Sequence, residues 1–383
     1  MRVVDLFSGC GGLSQGFMNA DYNIVAAFDA WPEAVETYKK NFSHHVEVCD
    51  LSDTQYSVDS VSGWTPDVII GGPPCQDFSH AGPRREGERA NLTLAFAEIV
   101  HKVRPAWFVM ENVDRAKKSN VYQEARKIFK KCGYGLTEVV LDASFYGVPQ
   151  KRKRFFLIAG LYERDDILIP FLQELKASKP MTVRDYLGNT LGLDYYYRHP
   201  CNYKRRAIFS IDEPAPTVRG VNRPVAPGYP GHKGDAAPVS DKLRPLTTQE
   251  RALLQTFPNS YIFSGSKTDL EQMIGNAVPV NLAMNVALAI RKYQSTLVIG
   301  DAPVFDASFK NWLIENKKLT PRSAKDVLSR LKRVSKYVNV KMEVDDLDLI
   351  NLLEKNSEFS RLSRYVRPQM RRALVLYREF SRD

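Results

Sequence analysis

No run of about 20 uninterrupted apolar residues occurs in this chain of 383, so no membrane-spanning helix is expected. Cysteines are few and scattered: Cys10, Cys49, Cys75, Cys132 and Cys201 form no close pair. That spacing excludes a zinc site or a disulfide framework, predicts no metal, and suits a reducing cytosol. No signal peptide is expected, because the opening Val3-Val4-Asp5-Leu6-Phe7 reads as a strand. There is no internal repeat and no low-complexity tract. What remains is ordinary for a globular protein, with 44% hydrophobic and 26% charged residues. The net charge of +10 and pI near 9.2 favour a polyanionic partner, although basic balance alone does not prove one.

The first part alternates strands and helices. Strands are expected at Arg2–Phe7, Ile24–Phe28, His45–Val48, Val68–Ile70, Trp107–Met110, Leu136–Leu141 and Phe155–Ala159. Helices are expected at Leu13–Asn19, Pro32–Asn41, Leu92–Lys102 and Val121–Cys132. This order predicts an α/β fold with a mostly parallel sheet and helices on both faces. From about residue 161 to 243 the alternation stops, and proline, glycine, aromatic and basic residues dominate. Helical spacing resumes at Thr247–Thr256 and Val280–Tyr293. The last segment, 301–383, reads as a separate all-α unit with 18 Lys and Arg against 12 Asp and Glu.

The segment Gly71-Gly72-Pro73-Pro74-Cys75-Gln76-Asp77-Phe78-Ser79 follows a buried-strand pattern that the prolines must end. Cys75 therefore sits on a stiff loop at the carboxyl end of a strand, where open α/β sheets place ligands. A free cysteine there is either a small buried hydrophobe or a nucleophile, and the residue type alone does not choose. The turn Asp5-Leu6-Phe7-Ser8-Gly9-Cys10-Gly11-Gly12 joins a strand to a helix amino terminus and lets backbone approach a ligand. Asp29 and Asp50 end the next two strands, which together outline a nucleotide-like crevice. Glu111 closes another strand beside an apolar wall, where a carboxylate acquires a raised pKa and donates a proton near neutrality. In Gln150-Lys151-Arg152-Lys153-Arg154, strand alternation puts Gln150, Arg152 and Arg154 on one face, aimed at a carboxylate or a phosphate.

In this order the motifs resemble those of the DNA (cytosine-5) methyltransferase family of bacterial restriction–modification systems. Phe7-Ser8-Gly9-Cys10-Gly11-Gly12 matches its cofactor loop, Pro74-Cys75-Gln76 its nucleophile loop, and Glu111-Asn112-Val113 its acid motif. Gln150 through Arg154 matches its Gln-x-Arg-x-Arg motif. Arg244-Pro245-Leu246-Thr247 with Glu250 and Ala252 resembles the motif that props the recognition region, and Gly275-Asn276-Ala277-Val278-Pro279 the closing motif. The resemblance spans roughly residues 1–294. It departs from the family at the second strand end, where Ala30 separates Asp29 from Trp31.

The resemblance implies a Rossmann-like S-adenosylmethionine-dependent methyltransferase sheet, a small irregular target-recognition domain and an all-α C-terminal extension. The implied domains are 1–160 plus 275–294 for catalysis and cofactor, 161–274 for recognition and its hinge, and 301–383 for the extension. It implies S-adenosyl-L-methionine as donor, held by Phe7, Ser8, Gly9, Gly11, Gly12, Asp29, Asp50, Pro74, Leu92 and Asn276. It implies Cys75 as the nucleophile toward C6 of a flipped-out cytosine, Glu111 as the acid, and Arg152 and Arg154 as catalytic partners. The loop Ser79–Asn91 is expected to act as a lid gripping phosphates. DNA contacts are expected from Gln76, Ser79, Arg84, Arg85, Arg89, Arg219 and Arg223; Arg219 and Arg223 fall in the region expected to read sequence, where an arginine either reads guanine or contacts a phosphate. The expected partners are double-stranded DNA and a cognate restriction endonuclease, in the cytoplasm of a bacterial or phage-carrying cell. Two rivals stand beside this reading: the same chemistry on transfer RNA, and a non-catalytic DNA-binding protein on the same fold. In the extension, Phe309 through Leu313 and Leu319 through Ala324 are weakly similar to the helical core-binding domain of tyrosine recombinases, with Pro321 opening a helix after a threonine cap.

Overall fold

Continuous apolar runs become fully buried strands because helices cover both faces of the sheet they enter. The computed structural model describes residues 1–74, 91–161, 163–202, 204–299, 307–342, 344–363 and 365–382. In chain order the first elements are β1 (Arg2–Leu6), α1 (Gly12–Asn19), β2 (Asn23–Asp29), α2 (Pro32–Asn41), β3 (His45–Val48), α3 (Thr54–Gly63) and β4 (Val68–Gly71). They are followed by α4 (Asn91–Val103), β5 (Trp107–Asn112), α5 (Asn120–Lys131), β6 (Tyr134–Asp142), β7 (Gln150–Lys151) and β8 (Lys153–Leu161). The seven-stranded sheet has the order β3-β2-β1-β4-β5-β8-β6. Its β1, β2, β3, β4 and β5 pair in parallel, and β8 alone runs antiparallel to both its neighbours. The expected mostly parallel sheet is present.

Strand order reverses between β1 and β4, so the loops leaving these two strands diverge and open a crevice at their carboxyl ends. The cofactor-type glycine turn and the Gly72-Pro73-Pro74 segment both leave the sheet there. Close approach fixes the helices around this edge. A Cβ on Gly12 would lie 2.4 Å from the Val278 carbonyl oxygen, and one on Gly16 would lie 2.5 Å from Ala283 Cβ. Only glycine lets α1 sit so near the later chain. Tyr22 reinforces the contact, its hydroxyl donating to the Ala287 carbonyl at 3.1 Å.

Two differences from the sequence expectations have clear causes. Helix α3 was not expected, because Thr54–Gly63 is poor in apolar residues. It forms because the Asp53 carboxylate caps it, accepting from Tyr56 N–H, and because Ser57 and Val61 are buried. The strands β6 and β8 outrun their apolar cores, since antiparallel pairing continues from Tyr134↔Leu161 to Asp142↔Lys153.

Residues 161–243 are loop-dominated, as expected. Among the described residues there, the elements are α6 (Ile169–Glu174), α7 (Val183–Leu187), β9 (Tyr195–Tyr197), β10 (Ile208–Ser210) and β11 (Ala215–Pro216). β9 and β10 pair with each other, while β11 pairs with β7 in a separate two-stranded sheet and so ties this region to the chain just ahead of β8. Then come α8 (Thr248–Leu254), α9 (Lys267–Asn276) and α10 (Val280–Ile299). α9 was also unexpected. Ser266 and Asp269 form a capping box that starts it, and Met273 and Ile274 bury its inner face. The stretch 267–295 is long and apolar enough, by length and composition, to cross a membrane, and most of its apolar window is buried inside the fold.

The chain divides into two compact units, Met1–Ala289 and Ile290–Asp383. The second contains α11 (Ala307–Glu315), α12 (Pro321–Val334), α13 (Asp346–Lys355), α14 (Ser357–Ser360) and α15 (Val366–Phe380). Thr320 caps α12 and Pro321 occupies its first turn, as the Thr-Pro start predicts. Its core joins Phe309, Trp312 and Leu313 to Leu331, Leu353, Leu374 and Tyr377.

Candidate active site

Glu111 stands at the end of β5 as a buried carboxylate with 8% of its surface exposed. Burial pushes its pKa up, and the guanidinium groups of Arg154 and Arg152 pull it back. Arg154, one residue into β8, places Nε 2.9 Å from Glu111 Oε1. The antiparallel register Glu111↔Phe156 sets this distance, because it brings the start of β8 beside the end of β5.

The next residue anchors the adjoining loop. Asn112 Nδ2 donates to the Pro73 carbonyl at 3.2 Å, and its own oxygen accepts from Val113 N–H at 2.8 Å. A Cβ on Gly72 would lie 3.2 Å from Glu111 Oε2, so glycine there lets the loop run against the carboxylate. Pro74 is exposed at the end of this segment. Cys75, Gln76, Ser79, Arg84, Arg85 and Arg89, with the rest of the expected lid, lie outside the described residues.

Gln150, Arg152 and Arg154 do share a face, yet they do different things. Gln150 is wholly buried: its oxygen accepts from Val218 N–H and its amide donates to Gln255 Oε1. Arg152 is equally buried, and its guanidinium donates to the carbonyls of Val218 (3.0 Å), Gly275 (2.9 Å) and Ala277 (3.1 Å). The expectation that both arginines aim at a carboxylate or a phosphate therefore needs correcting. Arg154 makes that contact, while three backbone carbonyls draw Arg152 into the seam between the recognition segment and the closing motif.

The crevice over β1 and β2 is built from backbone. Phe7, Gly9 and Gly11 all adopt positive φ, at 57°, 52° and 90°. A Cβ on Gly9 would meet nothing within 4 Å, so open space lies over that glycine, whereas one on Gly11 would strike Phe42 and Tyr261. Asp29 organises the turn, accepting from Gly9 N–H at 2.7 Å and Trp31 N–H at 2.8 Å. Burial raises its pKa, and those two N–H groups oppose the rise. Ser8 is buried, Leu92 is half-buried on α4, and Asn276 is exposed at the end of α9. Asp50 is exposed after β3, one oxygen accepting from Ser52 N–H at 2.9 Å, and that bond keeps its pKa low. Trp31 is half-buried and packs against the neighbouring core.

The family model for C-5 cytosine-specific DNA methylase matches residues 1–292. This chain belongs to that family. It is 57% identical over 296 residues to the Type II methyltransferase M.HindV of Haemophilus influenzae, covering 77% of this chain and 97% of that protein. It is 53% identical over 294 residues to the Type II methyltransferase M.HgiDI of Herpetosiphon aurantiacus, covering 76% and 95%. The structure of the S. pombe Dnmt2 methyltransferase aligns with a TM-score of 0.57 at 21% identity, covering 76% of this chain and 99% of that one, which supports the fold. The protein is a DNA (cytosine-5-)-methyltransferase.

In this methyltransferase the expected readers of DNA are placed unequally. Arg219 is half-buried and donates to the His199 carbonyl and to Cys201 Sγ, so it shapes the loop around 199–201. Arg223 is exposed and has no ion pair or hydrogen bond among the described residues. Sequence reasoning missed a buried cluster nearby, in which Arg251 forms an ion pair with Glu271 and donates to the Arg219 carbonyl. Glu271 also accepts from Thr248 Oγ1 at 2.7 Å and Asn222 Nδ2 at 3.3 Å. Arg244 forks onto Glu250 with two 2.7 Å bonds, and Glu250 closes the capping box of α8. Also missed was Asp5, fully buried beneath the glycine turn. It accepts from Ser14 Oγ, which in turn accepts from the Tyr38 hydroxyl, both at 2.7 Å. A carboxylate set among Val3, Val4 and Leu6 in a buried strand was its only sequence signal.

Proposed function

We propose that this methyltransferase transfers a methyl group from S-adenosyl-L-methionine to C5 of a cytosine extruded from duplex DNA at a specific short site. It would serve as the modification half of a bacterial restriction–modification system, beside a cognate endonuclease, in the cytoplasm. Relatedness to two Type II methyltransferases at more than half identity supports the biological setting. The buried Glu111–Arg154 pair, beside the loop that leads to Cys75, is the observation that carries the chemistry.

The donor pocket suits the proposed cofactor. Open space over Gly9 admits backbone-close binding, Asp29 offers a carboxylate at the ribose position, and Asp50 offers one at the adenine edge. Phe7, Ser8, Gly11, Gly12, Pro74, Leu92 and Asn276 would complete the pocket. When bound, S-adenosyl-L-methionine supplies an electrophilic methyl on a sulfonium centre.

Cytosine C5 is a weak nucleophile, and the chain's residues act to change that. Cys75, as its thiolate, forms a bond to C6, and the displaced electron pair is delocalised through C5 and the ring. Glu111, whose pKa burial raises and Arg154 and Arg152 pull back, is the acid that gives its proton to N3, so the ring does not accumulate charge. Arg154 holds the carboxyl in place. Once C5 carries the methyl group, loss of the C5 proton to a base restores the C5–C6 double bond, expels the Cys75 thiolate and returns the N3 proton. Extruding the base costs about a few kcal/mol of stacking and pairing, which protein–DNA contacts must offset.

Substitution Cys75→Ser tests the reading. Duplex binding should persist, while tritiated methyl should no longer reach DNA. Labelled cytosine formed by that variant would refute the nucleophile assignment. Bisulfite sequencing of host DNA expressing the chain would reveal the target sequence and the modified base together.

A further inference from the structure

The second unit carries its positive charge in two distinct ways. Along α15 and its flanks, four arginines are paired with acids of the fold. Arg367 and Arg371 pair with Glu354, while Arg378 and Arg382 pair with Asp346. Lys317 pairs with Glu379. These ion pairs join α13 and the segment after α11 to α15 and offset part of the charge there, while Arg372 on α15 is exposed with no ion pair among the described residues.

Helix α12 is different. Arg322, Lys325, Lys332 and Arg333 are exposed, and Lys336 is exposed just beyond its end. None of the five has an ion pair among the described residues. The buried residues Ala324, Val327, Leu331 and Val334 define the opposite side. At 3.6 residues per turn, the five cations fall within an arc of about 100° facing away from that core. With a rise of 1.5 Å per residue, Arg322 to Arg333 spans roughly 16 Å, enough to follow more than one phosphate along a strand. Only Asp326 on α12 carries the opposite charge.

We propose that the exposed face of α12 is a second DNA grip, which binds duplex phosphates outside the methylated site. The proposal rests on DNA being the substrate and goes beyond it, since the matches to M.HindV and M.HgiDI cover only 77% and 76% of the chain. A stripe of lysine and arginine with no base-reading pattern suits the sequence-independent backbone. Covalent attachment to the catalytic unit makes this contact effectively intramolecular, so it raises affinity without altering the recognised sequence.

The test uses the full chain with Arg322→Gln, Lys325→Gln, Lys332→Gln and Arg333→Gln combined. Binding is measured by fluorescence anisotropy over a salt series, on a short duplex that just covers the methylated site and on a long one extending several helical turns beyond it. On the long duplex, the slope of log affinity against log salt should fall by about 2 to 4, and affinity by about tenfold or more. Affinity and methylation rate on the short duplex should not change, which also shows that the catalytic unit is intact. Lys332→Gln alone should lower the slope by about 1, guarding against misfolding of the fourfold variant. The pair Lys341→Gln and Arg361→Gln, exposed cations elsewhere in the unit, should leave it unchanged. An unaltered slope on the long duplex, an equal loss on both lengths, or an equal effect of the control pair would each overturn the proposal. Loss of methylation on the short duplex in the unmodified chain would instead count against the proposed function.

Discussion

Nε of Arg154 lies 2.9 Å from Oε1 of Glu111, with the two side chains 17% and 10% exposed. An ion pair in such a setting holds a carboxyl group in one orientation, and its electrostatic pull opposes the burial that raises the pKa. Removing the guanidinium as Arg154→Ala should raise the Glu111 pKa further. A carboxyl that works as an acid is active below its pKa, so the alkaline limb of the pH–rate profile should move to higher pH. The rate itself should fall, because the acid is no longer held in place. Glu111→Gln should lower methyl transfer by about 10²–10⁴-fold and abolish that limb. Single-turnover rates across pH would check both outcomes, and an unmoved limb in Arg154→Ala would remove Glu111 as the titrating acid.

Arg152 should behave as a brace. Replacing it with Met removes the side-chain donor to the carbonyls of Val218 and Gly275 in a buried seam, while the Ala277 carbonyl keeps its bond from Gln255 Nε2. Stability should fall by about 2–4 kcal/mol. Urea denaturation followed by tryptophan fluorescence would measure the loss. A midpoint equal to that of the unmodified chain would show that the seam does not depend on this guanidinium.

Two glycines of the first turn should separate packing from ligand binding. Gly12→Ala drives a Cβ to 2.4 Å from the Val278 carbonyl and should cost about 1–3 kcal/mol of stability. Gly9→Ala meets no atom within 4 Å, so its cost should be only about 1–2 kcal/mol of left-handed backbone strain. Its added methyl enters the donor crevice, however, and should weaken S-adenosyl-L-methionine binding in calorimetry. If Gly9→Ala binds the donor normally, the crevice is not where the donor sits.

Asp5 predicts a pH-dependent stability. Burial raises its pKa from 3.8 to about 8, against the hydrogen bond from Ser14, and Asp29 adds to the rise. The folded protein thus holds this proton more tightly than the unfolded chain. The stability it contributes is full below the unfolded value of 3.8 and is lost as pH climbs through about 8. Unfolding free energy should therefore decline from mildly acidic to mildly alkaline pH, by at most about 1.4 kcal/mol per pH unit from this group. Asp5→Asn should flatten the decline. Urea midpoints at successive pH values would show it, and an equally steep decline in the variant would exonerate Asp5.

Much of the catalytic unit was legible before any coordinates, because strand and helix periods and turn chemistry are local. Pro32–Asn41 and His45–Val48 have the bounds expected from sequence, since a proline at a first helical turn and a short β-branched strand both announce themselves. The motif order along roughly residues 1–294 likewise pointed to the family whose model matches residues 1–292. Helices α3 and α9 were missed, because capping side chains and burial decide them more than apolar spacing does.

What the residues alone determined is therefore the alternating architecture, the identity of the chemical groups and the strand ends that carry them. Tertiary structure decided which of those groups meet. Strand alternation could place Arg152 and Arg154 on one face, but only packing sends Arg152 to carbonyls 66, 123 and 125 residues away and leaves Arg154 for Glu111. The tie from Asn112 to Pro73 and the Arg251–Glu271 pair arise in the same way. A side chain's partner depends on which distant backbone arrives beside it, and local periodicity carries no record of that arrival.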